Sequence, residues 1–195
     1  MHNYKNIYYF INQLNKNELK AINKKIILIY RNYNSNYNEH TIKEIRDYCK
    51  KHKRKLFIAN DLKMALKLKL DGLYIPSFNK SLNYRNICNR ESFSIIGSAH
   101  NLTELLIKEK QGCKKIFVSP IFKTNKYKNN LGISKFNIIC LNSHNEIIAL
   151  GGVNSLNIKK LFMTKSVGFA AISWIKKKRP KKNLGRFNTL KVFIN

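Results

Sequence analysis

The amino-acid sequence predicts an α/β fold, a single (β/α)8 TIM barrel. Eight short apolar segments alternate with longer amphipathic ones, and this order produces parallel βαβ units. Eight units favour a closed barrel over an open doubly wound sheet, because Phe10–Asn15 lacks the glycine-rich loop that usually follows the first strand of an open sheet. With 195 residues the chain is short for this fold, so we expect tight loops.

The strands are predicted from short apolar runs bounded by polar residues. The first run is rich in aromatic residues, and the second, KIILIY, is continuously apolar, as in strands that are covered on both faces. The segment Ser77–Arg90 fits no element clearly. The predicted strands are Asn6–Ile11, Lys25–Tyr30, Leu56–Ala59, Gly72–Ile75, Phe93–Gly97, Lys115–Val118, Glu146–Leu150 and Gly168–Trp174.

The helices are predicted where apolar residues recur at helical spacing. Ile42, Ile45 and Cys49 form such a series, and Gly112 stops the helix that precedes it. The predicted helices are Asn15–Lys25, His40–Lys53, Leu62–Leu70, Leu102–Lys110, Leu131–Asn142 and Ser155–Met163.

The barrel domain is expected to span residues 1–175, followed by a basic C-terminal extension at 176–195. The extension opens with the charge run Lys176–Lys182 (KKKRPKK). A solvated tail is one interpretation of this run, and a basic arm for anionic surfaces is the other.

The formal net charge is +28 and the sequence pI is about 10.1. The lysines are spread along the whole chain, which is also rich in Asn and Ile, a composition typical of AT-rich codon usage. Nucleic acid is therefore not the expected partner, since a diffuse positive field is not a reading surface. An anionic small-molecule substrate would benefit from the same field.

Cysteine spacing and hydropathy argue against a zinc protein, a disulfide-bonded protein and a membrane protein. The four cysteines form no CxxC pair, so neither a zinc site nor an oxidising compartment is indicated. No apolar run approaches the roughly 20 residues of a membrane span. We expect a cytoplasmic protein with no membrane partner, and the oligomeric state is left open.

The active site of such a barrel lies at the carboxyl ends of its strands. The residues predicted there are mostly cations and small hydrogen-bond donors, which suit an anion. They are Arg31, Asn60, Asp61, Ser77, Asn79, Ser98, His100, Pro120, Thr124, Lys126, Lys128, Gly151, Gly152, Asn154 and Ser173.

Asp61 is the one aspartate of three that falls at a predicted strand end. Its carboxylate could hold Mg²⁺ through oxygen ligation. It could equally cap the amino terminus of the following helix. Spacing alone does not separate these two roles.

Gly151–Gly152 and Arg31 are the candidates for anion binding. Glycines between a strand and a helix let backbone N–H groups approach a phosphate closely, and Ser173 could complete that site. A simple tight turn is the alternative for the glycine pair. For His100, a general base and a structural histidine are both open.

Five segments lie in chain order at strand ends and are distributed from Leu56 to Ser173. They are LFIANDLKMALKLKLDGLYIPS (Leu56–Ser77), IIGSAHN (Ile95–Asn101), VSPIFKT (Val118–Thr124), IIALGGVN (Ile147–Asn154) and GFAAIS (Gly168–Ser173). Together they resemble the motifs of the thiamine phosphate synthase and thiazole tautomerase superfamily, and most closely a divergent thiamine phosphate synthase. The turn histidine of the tautomerases is replaced here by Pro120.

The resemblance implies a transferase that joins hydroxymethylpyrimidine diphosphate to thiazole phosphate with release of pyrophosphate. It implies Mg²⁺ as cofactor, held by Asp61 and Asn79. Ser98 with Lys126 or Lys128 would act catalytically on the diphosphate. The substrate-binding positions implied are Arg31, Asn60, Ser98, Thr124, Asn125, Lys126, Gly151, Gly152, Ile172 and Ser173.

The sequence departs from the family pattern at several of these positions. The strand 2 motif Gln-x-Arg-x-Lys reads Ile29, Arg31 and Tyr33, so only the arginine is kept. Asn79 stands where a second Mg²⁺ carboxylate is expected, and the Thr-x-Thr-Lys element begins at Thr124 but continues differently. A barrel of the same superfamily that binds a phosphorylated thiazole-like ligand without the full reaction is therefore an alternative. A basic nucleic-acid-binding protein is a lesser one.

Overall fold

The computed structural model describes residues 4, 6–33, 38–84, 87, 93–125 and 129–171. Eight parallel strands form a closed barrel in which each strand pairs with the next along the chain. The barrel closes between the last strand and the first, with Asn6 opposite Gly168 and Tyr8 opposite Ala170. The strands are β1 (Asn6–Ile11), β2 (Ile27–Tyr30), β3 (Leu56–Ala59), β4 (Gly72–Ile75), β5 (Ser94–Ala99), β6 (Lys115–Val118), β7 (Glu146–Leu150) and β8 (Gly168–Ala170). The predicted (β/α)8 barrel is confirmed.

Helices connect most of the strands. Four of them begin at a residue whose side-chain oxygen accepts a hydrogen bond from a backbone N–H of the first turn: Asn15, Asn38, Asp61 and Asn101. No described helix is long and apolar enough to cross a membrane. The helices are α1 (Lys16–Lys20), α2 (Glu39–Lys51), α3 (Leu62–Lys67), α4 (Leu102–Lys110), α5 (Gly132–Leu141) and a 3₁₀ helix (Ile158–Met163).

The apolar residues form an inner and an outer layer. The outer layer packs the strands against the helices, and the inner layer fills the barrel. Aromatic rings dominate the inner layer: Phe117 lies 4.8 Å from Tyr8, 5.7 Å from Tyr74 and 6.1 Å from Phe10, in edge-to-face arrangements. Gly72 makes room for this filling, because a Cβ there would lie 2.4 Å from the Phe57 ring.

Several elements differ from their predicted bounds. Strand β5 extends to Ala99, so Ser98 lies within the strand rather than after it. The predicted helix Ser155–Met163 is a 3₁₀ helix that begins only at Ile158, because Asn154 Oδ1 accepts from two backbone N–H groups and holds a turn there. The end of the predicted strand Gly168–Trp174 and the extension 176–195 lie outside the described residues.

Helix α1 is shorter than predicted because Arg54 takes over the carbonyl oxygens at its end. The buried guanidinium donates to the carbonyl oxygens of Leu19, Ile22 and Asn23 at 2.8 Å each. These are groups that a helix end leaves without intrahelical donors. One side chain from the turn before β3 therefore ties α1 to the barrel.

Replacing Arg54 with Leu should lower the free energy of unfolding by about 3 kcal/mol, because buried carbonyl oxygens lose charged donors. Urea denaturation followed by circular dichroism measures this change. Lys51→Leu, at an exposed position on α2, is the matched control and should shift stability by less than about 0.5 kcal/mol. Equal stability of the two variants would contradict the assigned role.

Candidate functional site at the carboxyl ends of the strands

Because all eight strands run parallel, their carboxyl ends meet at one rim of the barrel. The structure brings the following predicted residues to this rim: Arg31 after β2, Asn60 and Asp61 after β3, Asn79 in the loop after β4, Ser98 within β5, and Gly151 with Gly152 after β7. Thr124 and Asn125 follow β6. Lys126, Lys128, Ile172 and Ser173 lie outside the described residues, so their roles stay predictions.

The Arg31 guanidinium is held by aromatic rings. Its central carbon lies 4.5 Å from the ring centre of Phe10 and 5.8 Å from that of Tyr33. Cation–π contacts of this kind orient the guanidinium plane and leave its N–H edges available for oxygen acceptors. The backbone N–H of Arg31 donates to Ile11 across the β1–β2 pair at 2.8 Å, which anchors the residue to the rim.

Tyr74 is a site residue that sequence analysis did not identify. It is buried in the barrel on β4, with its ring 5.3 Å from that of Phe10. Burial raises the pKa of Tyr74, and the Ser98 hydroxyl and the Arg31 guanidinium oppose that rise. Tyr74 therefore lies between two predicted substrate-binding residues. The visible signal was only its place in the Asp-Gly-Leu-Tyr-Ile run of the predicted fourth strand.

Asn60 and Asn79 form a direct link between two strand ends. Asn79 Nδ2 donates to Asn60 Oδ1 at 2.6 Å and to the Tyr84 hydroxyl at 2.8 Å. Asn79 Oδ1 accepts from the backbone N–H of Ser81. Asn60 itself has a left-handed backbone with φ of 60°, which asparagine tolerates better than most residues. The amide of Asn79 is thus engaged on both sides.

Asp61 caps helix α3. Its Oδ1 accepts from the backbone N–H of Met64 at 2.8 Å, which confirms the capping role. Among the residues that the structure describes, no group of three or more His, Cys, Asp and Glu side chains could hold a metal. The donor set still suits Mg²⁺, since this ion is commonly bound by one or two carboxylates together with substrate phosphates. The metal role of Asp61 stays a prediction.

The glycine pair after β7 packs against the turn after β6. Gly151 has φ of 92° and Gly152 has φ of 72°. A Cβ on Gly151 would lie 2.7 Å from Pro120, and one on Gly152 would lie 2.5 Å from the carbonyl oxygen of Lys123. Both glycines are therefore required by the turn and the packing, which is the simpler of the two predicted roles. The same geometry brings this backbone to the rim, where a phosphate would be received.

His100 pairs with the helix that follows it. Its Nδ1 lies 2.9 Å from Glu104 Oε2, and its backbone N–H donates to the same oxygen. Both groups sit at the first turn of α4, whose cap is Asn101. This arrangement supports the structural role of the histidine.

Replacing Gly152 with Ala should lower the free energy of unfolding by about 2–4 kcal/mol, because strain at positive φ adds to the clash with the Lys123 carbonyl. Gly132→Ala is the matched control. Gly132 also has positive φ, but nothing lies within 4 Å of its Cβ position, so only the strain of about 1 kcal/mol should remain. Thermal denaturation of both variants tests the difference, and equal costs would argue against the close packing of the two turns.

Comparison with known proteins identifies the family. A sequence profile of the thiamine monophosphate synthase family matches residues 12–175. A thiamine-phosphate synthase of Prochlorococcus marinus is 35% identical over 138 residues, which are 68% of this chain but 38% of that protein. A putative thiamine-phosphate synthase 2 of Aquifex aeolicus is 33% identical over 67% of this chain and 71% of that protein.

Solved structures show the same fold. The thiamine phosphate pyrophosphorylase from Pyrococcus furiosus superposes with a TM-score of 0.69 at 19% identity, covering 88% of this chain and 87% of that one. The chain spans well under half the length of the Prochlorococcus relative that it matches. The profile match runs from the end of β1 through every later strand. The chain thus belongs to the thiamine monophosphate synthase family.

Proposed function

We propose that the protein is a thiamine phosphate synthase. It would transfer the pyrimidinylmethyl group of hydroxymethylpyrimidine diphosphate to the ring nitrogen of thiazole phosphate, in thiamine biosynthesis in the cytoplasm. The observation that carries this proposal is the family match over residues 12–175, which includes the strand ends from β2 to β8. The phosphorylated substrates also agree with a chain of net charge +28.

The reaction that the family resemblance implies is dissociative. The bond between the pyrimidine methylene carbon and the diphosphate oxygen breaks first, and the electron pair leaves with pyrophosphate. The thiazole nitrogen then donates its lone pair to the pyrimidine cation, and the new C–N bond completes thiamine phosphate. Such a reaction requires stabilisation of the leaving negative charge more than it requires a strong base.

The diphosphate half of the site centres on Arg31. Its guanidinium is oriented by Phe10 and Tyr33 and lies beside Tyr74, whose hydroxyl also faces Ser98. A planar guanidinium binds phosphate oxygens through two parallel N–H donors. Asn60, at the end of β3, would contact the diphosphate substrate beside Arg31. The segment after β6 would also contact the diphosphate, through Thr124, Asn125, Lys126 and Lys128.

Mg²⁺ would be held by Asp61, with the Asn79 position as a weaker neutral ligand. When bound, the ion would supply charge neutralisation for the diphosphate. Asp61 Oδ1 already accepts from Met64, which fixes the carboxylate at the amino terminus of α3. The engagement of Asn79 with Asn60, Tyr84 and Ser81 supports a role in shaping the loop.

The thiazole phosphate half lies at the ends of β7 and β8. Backbone N–H groups at Gly151 and Gly152 would receive the phosphate, as the loops after strands 7 and 8 do in many barrels of this fold. Ile172 and Ser173 would complete this half. Positive φ at both glycines supports the proposal, because it turns the backbone in a way that few other residues permit.

A second candidate is a barrel of the same superfamily that binds a phosphorylated thiazole-like ligand without joining it to a pyrimidine. The observation that favours it lies in the pyrimidine half. Tyr33 replaces the strand 2 lysine of the family pattern, is half exposed, and packs its ring 5.6 Å from that of Phe78. Two aromatic side chains thus occupy a position where the family pattern places a cation.

The deciding experiment is a product assay. Purified protein is incubated with hydroxymethylpyrimidine diphosphate, thiazole phosphate and Mg²⁺, and thiamine phosphate is followed by oxidation to fluorescent thiochrome. Product that depends on Mg²⁺ would support the synthase. Binding of thiazole phosphate without product would favour the second candidate.

Asp61→Asn separates the two roles of Asp61, since asparagine keeps the helix cap but removes the carboxylate charge. We expect kcat/KM to fall by about 100-fold or more, with little change in thermal stability. Asp47→Asn, at an exposed position paired with Arg46, is the matched control and should leave turnover unchanged. Full activity of Asp61→Asn would remove Asp61 from the metal site.

Arg31→Lys should raise KM for the pyrimidine diphosphate by about tenfold, because an ammonium neither stacks on Phe10 as a plane nor binds oxygens bidentately. Initial rates at saturating thiazole phosphate measure the effect. Arg46→Lys, on α2 where Arg46 pairs with Asp47, should leave KM unchanged. An unaltered KM in Arg31→Lys would place the diphosphate elsewhere on the rim.

A further inference from the structure

Helix α4 carries a lysine that is fully buried. The side chain of Lys108 is 0% exposed, and its Nζ donates to three oxygen atoms: Pro76 O at 2.8 Å, Asn79 O at 2.7 Å and Gln111 Oε1 at 2.8 Å. An ammonium has three N–H donors, so all three are satisfied. The partners are carbonyl and amide oxygens rather than a carboxylate. Burying a charge in this way costs free energy unless the hydrogen bonds are complete.

Two of those bonds end on the loop after β4, residues 76–84, which we call the β4 loop. Gln111 adds to the same contact, since its Nε2 donates to the carbonyl oxygens of Asn79 and Ser81 at 3.0 and 2.7 Å. Gln111 is also 0% exposed. Two buried polar side chains, one turn apart, thus hold the backbone of one loop from beneath.

The barrel leaves space for this lysine at Gly97 on β5. A Cβ on Gly97 would lie 2.8 Å from the Cδ atom of Lys108 and 2.8 Å from the Cys113 sulfur. Any larger residue at position 97 would push the lysine stem out of its path between α4 and β5. The lysine is therefore built into the packing of the barrel rather than placed on its surface.

The β4 loop carries Asn79 to the rim. The carbonyl oxygen of Asn79 accepts hydrogen bonds from Lys108 and Gln111. Its side-chain amide donates to Asn60 and Tyr84. A continuous series of hydrogen bonds thus leads from the buried ammonium to Asn60 at the end of β3. We propose that Lys108 is a positioning residue, which fixes the β4 loop so that Asn79 and Asn60 stand ready for the diphosphate substrate. For its substrate, this role rests on the proposed synthase function.

The first test measures amide hydrogen exchange in the β4 loop at one pH. The backbone N–H of Asn79 donates to Pro76 O and that of Ser81 donates to Asn79 Oδ1, so both report how well the loop is held. Lys108→Met should speed exchange at both amides by about tenfold or more, whereas Lys110→Met, at an exposed position on the same helix, should not. Unchanged exchange in Lys108→Met, or equal acceleration in Lys110→Met, would overturn the proposal.

The second test measures turnover. Lys108→Met should raise KM for the pyrimidine diphosphate by about tenfold or more, since displacement of a binding group by about 1 Å is costly, and Lys110→Met should not. If Lys108→Met does not fold, Gln111→Leu serves instead, because it removes the amide that binds Asn79 and Ser81.

The two tests separate the two proposals. Faster loop exchange in Lys108→Met with no thiamine phosphate from the wild-type protein would reject the synthase and keep Lys108 as the residue that orders the loop. Product formation with an unchanged KM in Lys108→Met would keep the synthase and reject the positioning role.

Discussion

Closure of the barrel between β1 and β8 is the constraint on which the site depends. Gly168 approaches Asn6 so closely that a Cβ would lie 2.0 Å from the Asn6 carbonyl oxygen. A side chain at this position would hold the two strands apart and open the sheet. With the sheet closed, eight carboxyl ends meet at one rim, and residues as far apart in the chain as Arg31 and Gly152 lie around a single opening.

Closure also determines what fills the interior. The inward positions of β1, β4 and β6 supply Phe10, Tyr74 and Phe117. Gly72 leaves the space that the neighbouring Phe57 ring needs. The Phe10 ring also contacts the Arg31 guanidinium, 4.5 Å from its central carbon. The Phe10 ring therefore has two roles, because it packs in the core and also orients the Arg31 guanidinium.

The sequence was sufficient to predict the barrel and most of its strands, since hydrophobic periodicity depends on neighbours in the chain. It failed where distant residues decide the outcome. The end of α1 is determined by Arg54, which is 31 or more positions away. The site was predicted in outline from the rule that strand ends carry function. Tyr74 was missed, because an inward aromatic residue is indistinguishable from a core residue until Arg31 and Ser98 are placed beside it.

Asp61 shows a further limit of sequence reasoning. Capping and metal ligation call for the same residue type at the same spacing, so neither pattern excludes the other. The structure shows the cap and leaves a carboxylate at the rim. One residue satisfies a local requirement of the helix, and the fold carries it to the place where the substrate is expected.

The packing of the Lys108 side chain against Gly97 limits how these two positions can change during evolution. The two positions cannot vary independently, because any substituent at 97 occupies the volume of the lysine stem. A descendant that acquires alanine at 97 must lose or shorten the side chain at 108, and the β4 loop then needs another support. Sequences that descend from this one should therefore change at positions 97 and 108 together.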